Sequence, residues 1–225
     1  MTTLIAEDLV LLLLDDESGK FTNSSYLDTG IGGALLVELA LTQSVEVVKG
    51  SGMWARATVL AVGPAPSDPV LHEAMDLVSE KERSAQDLVS RLGKKRREPL
   101  LERLESKGML ERREDKALGL FPRTRWPAVN SHHEAEVRRQ LGDALIRGVQ
   151  PGERIAALIA LLFALDLAHK VVDREGLSAG DVKKRAKTIA EGDWAAKAVR
   201  EAVAAAQAAI TAGVMVATTA ATTSS

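Results

Sequence analysis

The chain has 225 residues, 46% of them hydrophobic, which is enough to bury a substantial core. It contains no cysteine, so disulfides, thiol nucleophiles and thiolate metal sites are excluded together. Its formal charge is −2, so attraction to an anionic partner has to come from a local patch. Aromatic residues make up only 3%, leaving leucine and alanine to build the core, and both favour helices.

Residues 4–14 are apolar on nearly every side, the pattern of a helix buried all round. Glu7 and Asp8 stand where a signal peptide would be basic, so secretion is not expected. Residues 15–20 are polar and contain Gly19, which predicts a turn. A second buried helix is predicted over 31–41, then short strands over 45–48 and 56–62. The proline-rich stretch 63–69 leads into a helix over 70–81.

The middle of the chain has the most distinctive grammar. Ser84 and Asp87 fit a capping box for a helix holding Leu88, Val89 and Leu92, with Gly93 at its end. Leu100, Leu101 and Leu104 mark a second helix, stopped by Lys107 and Gly108. A hairpin is predicted next, with strands at 109–112 and 117–121 and its turn at Glu114 and Asp115. Helix, helix, hairpin is the order of a winged helix.

The C-terminal part reads as helices over 134–146, 155–168, 181–190 and 194–212. The run Ile155 to Leu165 has eleven uninterrupted apolar residues between Arg154 and Asp166, against the roughly 20 needed to cross a bilayer, so a buried core helix is predicted. The fold expected is mainly α, a single globular helical domain over 1–216 with small β-hairpins. Residues 217–225 are expected to form a disordered tail.

Catalytic chemistry is sparse. The four histidines, His72, His132, His133 and His169, lack zinc-ligand spacing, and no glycine loop of a phosphate-cradling type occurs. His132, His133 and Glu134 read as a solvated helix start, since adjacent helical residues point about 100° apart. Neither an enzyme, a metal site nor a cofactor is expected.

The positive signal is basic. Arg91, Lys94, Lys95, Arg96 and Arg97 put five cations in seven residues, and Arg112, Arg113, Lys116, Arg123 and Arg125 decorate the hairpin. The alternative is a solvated face balanced by Glu98, Glu102 and Glu111.

Several stretches in order resemble the Golgi phosphoprotein 3 family of phosphoinositide-binding peripheral membrane proteins. They are the leucine-rich first helix, Gly30-Ile31-Gly32-Gly33, Val37-Glu38-Leu39-Ala40-Leu41, Leu104-Glu105-Ser106-Lys107-Gly108-Met109-Leu110 with its hairpin, Ala157-Leu158-Ile159-Ala160-Leu161 and Asp166. The resemblance implies a mainly helical domain that binds phosphatidylinositol 4-phosphate in a shallow basic pocket and, in eukaryotes, holds glycosyltransferases at the Golgi. The family's two basic pocket residues fall on Lys94 and Arg97, with Arg96, Lys95 and Arg91 adding non-specific attraction. Its pocket tryptophan and arginine fall on Asn23 and Gly32, so half the pocket is retained. The family's hairpin implies self-association and membrane approach, here through Leu118, Leu120 and Phe121. This alanine-rich chain, without the basic extension by which eukaryotic members contact vesicle coats, is expected to be a prokaryotic relative.

The function expected is therefore a cytoplasmic protein that associates reversibly with anionic or inositol phospholipid membranes. Homo-oligomers through the hairpin and membrane-enzyme clients are implied by the family. The alternative is a winged-helix nucleic-acid-binding protein, in which residues 94–97 would precede the recognition helix. It ranks second because residues 100–104 offer few polar groups to read bases.

Overall fold

The computed structural model describes residues 3–21, 26–48, 57–117 and 121–222, with side chains described outside 115–117, 121–123 and 214–222. Helix α1 (Ile5–Leu13) is buried along its whole length, Glu7 and Asp8 included. Helix α2 (Leu27–Leu41) is apolar on all sides because it is the centre of the fold. It packs against α1 and against four later helices: α3 (Pro69–Ser79), α4 (Ala85–Gly93), α7 (Glu153–Ala164) and α9 (Lys197–Thr222). Each buried leucine or isoleucine side chain on α2, such as Ile31, Leu35 and Leu39, contributes about 1.5–3 kcal/mol of hydrophobic stabilisation.

Between α2 and α4 runs a three-stranded antiparallel sheet in the order β1 (Val45–Val48), β2 (Thr58–Ala61), β3 (Arg83–Ser84). Val45 and Val47 are buried while Glu46 and Val48 face out, the alternation of a strand with one covered face. Asp68 caps α3 through the Val70 N–H, with Pro69 at the first helical position. Ser84 caps α4 through the Asp87 N–H, one half of the predicted capping box, while the Asp87 carboxylate takes Arg91 instead of closing the other half.

Helix α5 (Arg97–Ser106) carries Pro99 in its first turn, where the missing N–H costs nothing. It ends in a Schellman turn, with the N–H groups of Gly108 and Met109 donating to Glu105 and Leu104 and Gly108 at φ 70°. The hairpin that follows is displaced from its predicted register. Glu114 and Asp115 lie inside β4 (Arg113–Ala117) and not at a turn, and β4 pairs with β5 (Phe121–Arg125). The strand is polar on both faces, so no hydrophobic alternation pins its register in the sequence.

The remaining helices are α6 (His132–Leu145), α7, α8 (Ala179–Ala190) and α9, which together with α1 to α5 surround one continuous core. The protein is thus a single, mainly α domain with small antiparallel sheets. Helix α9 ends at Thr222. Residues 223–225 lie outside the described part. No helix among the described residues is long and apolar enough to cross a membrane.

Two glycines set the spacing at the fold's centre. A Cβ on Gly32 would lie 1.9 Å from the Val89 carbonyl oxygen, and one on Gly93 would lie 1.7 Å from the Asp28 carbonyl oxygen. Helices α2 and α4 therefore touch backbone to backbone, and neither position admits a side chain. Gly32→Ala is expected to cost about 3 kcal/mol, the upper end for overpacking, and to lower the melting temperature by roughly 6–12 °C. Gly180→Ala in α8, where the nearest obstacle is the Ser178 hydroxyl at 3.5 Å, should be neutral or slightly stabilising. Equal melting of the two variants would contradict the backbone contact.

Candidate functional site

The α2–α4 glycine contact brings three helix ends together: the first turn of α2 with Asp28, the end of α4 with Lys94, and the start of α5 with Arg96 and Arg97. Lys94 is the C-cap of α4, and Lys95 turns the chain with φ 58°. The N-terminus of α5, the positive end of that helix, has no side-chain cap.

The basic run is not uniformly free. Arg91 bonds Asp87 one turn back at 2.9 Å. Arg96 pairs with Glu73 of α3. Arg97 donates to Asp28 at 3.0 Å, and its guanidinium lies 5.1 Å from the centre of the Phe21 ring. Lys94 and Lys95 are exposed, and neither has a carboxylate partner among the described residues. The cations predicted to act as one patch thus divide into three held arginines and two open lysines.

An open groove of about 390 Å³ adjoins Arg97 and is lined by Lys20, Phe21, Glu98, Leu101, Thr124 and Trp126 among others. The predicted turn builds one wall. Gly19, at φ 60°, sits so close to Trp126 that a Cβ would meet its backbone nitrogen at 2.4 Å, and this contact carries Lys20 and Phe21 to the start of α5. On the far side Arg112 lies over the Trp126 ring at 5.8 Å.

Of the other site residues predicted from sequence, Gly32 is a helix-contact position, closed to any pocket side chain by the Val89 backbone. Asn23, Leu118 and Leu120 lie outside the described residues, and of Phe121 only the backbone, at the start of β5, is described.

A second polar assembly was not anticipated. Buried Glu7 receives Lys107 Nζ at 2.7 Å, Arg103 Nε at 3.0 Å and the Leu4 N–H at 2.7 Å. Buried Asp8 takes His133 Nε2 at 2.7 Å and Arg154 Nη2 at 2.9 Å. Arg154 also reaches Glu38 at 2.9 Å, whose second oxygen accepts the Ile5 N–H at 2.6 Å. Burial pushes the Glu38 carboxyl above the usual carboxylate range, with Arg154 opposing it. Glu134 binds Arg138 at 2.6 Å. These ion pairs tie α1 to α2, α5, α6 and α7. They give His133 and Glu134 structural partners, and no group of three metal-ligating side chains occurs among the described residues. The one sequence signal for the assembly was two acidic residues inside an otherwise apolar run.

The fold and this site define a helical domain with no spanning helix among its described residues and a basic junction beside an open groove. The chain matches the family Golgi phosphoprotein 3 (GPP34) over residues 5–206 and belongs to that family. A search of curated proteins finds no match.

Proposed function

We propose that the protein docks reversibly on anionic phospholipid membranes through the α2–α4–α5 junction, with phosphatidylinositol 4-phosphate as the headgroup its family membership suggests. The observation that supports this most directly is the pair of open lysines, Lys94 and Lys95, beside the uncapped start of α5. Each lysine near an anionic leaflet contributes about 1 kcal/mol, and the positive end of a helix favours an anion as well. Arg96 and Arg91 stand behind them, already engaged with Glu73 and Asp87.

The nucleic-acid reading is less well supported. Of the basic residues of α5 and its C-cap, Arg97 is engaged with Asp28 and Arg103 and Lys107 are turned inward to Glu7, while the exposed positions of the helix are Glu98, Pro99, Glu102 and Ser106. An acidic outer face repels the phosphate backbone that a recognition helix must approach.

The purified protein is expected to sediment with phosphatidylcholine vesicles carrying phosphatidylinositol 4-phosphate and to remain in the supernatant with phosphatidylcholine alone. Recovery should fall as salt is raised, because exposed charges are screened. Equal recovery with both vesicles would end the membrane reading. A sequence-selective DNA shift that survives moderate salt would promote the alternative.

A further inference from the structure

Helix α9 leaves the core at the same end of the molecule as the junction. Val89 and Gly93 of α4 lie against Gly32 and Asp28 of α2, while Ile210 and Gly213 of α9 lie against Gly33 and Thr29. Helices α4 and α9 thus both run antiparallel to α2 and point the same way. Helix α4 stops at the junction with Lys94 as its C-cap, whereas α9 passes Thr29 and continues to Thr222. Ile210 is the last buried residue described on α9, and Thr211 is exposed. Beyond Gly213, residues 214–222 add about 13 Å of helix at 1.5 Å per residue. No residue from Ala202 to Ser225 carries a charge, and the segment past the core opens with Val214, Met215 and Val216. A helix satisfies its backbone polar groups internally, and without ionised side chains to desolvate it enters a bilayer interface at low cost while burying its apolar groups. Its length suits the depth of about 5–10 Å that interfacial helices reach and is well short of a span.

We propose that residues 214–222 of α9 enter the lipid interface as Lys94 and Lys95 dock, so that the membrane holds the protein by an apolar contact as well as by charge. This rests on the membrane-docking reading and deepens it: the partner of the α9 segment is the boundary between headgroups and acyl chains. Charge draws the junction to an anionic leaflet over a Debye length of about 8 Å, and the same approach brings the uncharged end of α9 to the surface. The apolar contact then adds attraction that salt does not screen.

The chain has no cysteine, so a single introduced thiol places an environment-sensitive nitrobenzoxadiazole dye at one position. Val216→Cys reports on the proposed segment. Ala204→Cys, exposed on the same helix about 18 Å back toward its start, is the control. With phosphatidylcholine vesicles carrying phosphatidylinositol 4-phosphate, dye emission at position 216 is expected to rise severalfold and to be quenched by spin-labelled lipid, while position 204 stays unchanged. In an unlabelled protein, Val214→Ser, Met215→Ser and Val216→Ser together alter no charge. They should weaken binding to these vesicles by roughly tenfold, the ratio that ~1.4 kcal/mol produces, and leave its dependence on salt as steep as in the wild type. The dye measurement stands by itself should the triple variant fold poorly. Sedimentation of the labelled protein with the vesicles and no change at position 216 would overturn the inference and leave membrane docking intact. Equal rises at both positions would overturn it too, as would emission that rises with protein concentration in the absence of vesicles, the sign of a second copy covering the segment. Failure of the wild type to sediment with the vesicles would overturn both readings.

Discussion

Replacing Lys94 and Lys95 together by glutamate is expected to reduce binding to anionic vesicles by roughly 30-fold or more at physiological salt. Two lysines near an anionic leaflet contribute about 2 kcal/mol, and two glutamates in their place add repulsion of similar size. Each 1.4 kcal/mol is about a factor of ten. Net charge falls by four, so the loss by itself does not locate the site. The control is Arg113→Glu with Arg174→Glu, the same charge change at two exposed positions that make no aromatic contact with the groove, Arg113 already pairing with Glu111. Close contact at the junction predicts a several-fold greater loss for the lysine pair. Attraction that acts only at range decays over a Debye length of about 8 Å and tolerates relocation of charge, so equal losses would remove the junction as the docking site. Arg97 is left unchanged in this experiment because glutamate there would face Asp28 and forfeit the Phe21 contact, confusing binding with folding. Helical content by circular dichroism should be the same for both variants and the wild type.

Arg154→Met is expected to destabilise the fold by about 3–5 kcal/mol, the cost of leaving buried charges without their partner. For a domain of this size the melting temperature would fall by roughly 6–20 °C. The methionine fills most of the space of the lost side chain, so the effect isolates charge. Its pH dependence distinguishes this account from lost packing. Burial raises the Glu38 carboxyl above its ordinary value of 4.5 in the folded state, with Arg154 acting against the rise. A group whose pKa is raised on folding holds its proton more firmly in the folded state, so its contribution is full below the unfolded value and is lost as pH climbs through the folded one. Without Arg154 the folded value rises further, and the deficit should be small near pH 4.5 and grow toward pH 7. Thermal melts of Arg154→Met with and without Glu38→Gln, at both pH values, check this. The added glutamine should recover part of the loss at pH 7 and flatten the slope. A deficit independent of pH would show that packing and not charge is responsible.

Much of the architecture was legible in the chain because local rules decide it. All-round apolarity in 4–14 and 31–41 marks helices with no solvent face, and Ser84 with Asp87 fixes where α4 starts, since a cap acts within one turn. The Arg91–Asp87 pair belongs to the same class, being four residues apart on one helix. The hairpin's register was not legible, since its strands carry no hydrophobic alternation that ties them to the core. The site depends still more on tertiary structure. Arg97 meets a carboxylate 69 residues away, and Arg154 meets Asp8 across 146, so the sequence shows a block of like charge where the fold holds paired arginines and two open lysines. Gly32 is the sharpest case. The family resemblance makes it a pocket position that has lost its arginine, whereas the close approach of two helix backbones requires a residue without a side chain there, a requirement that arises only once α4 has packed against α2.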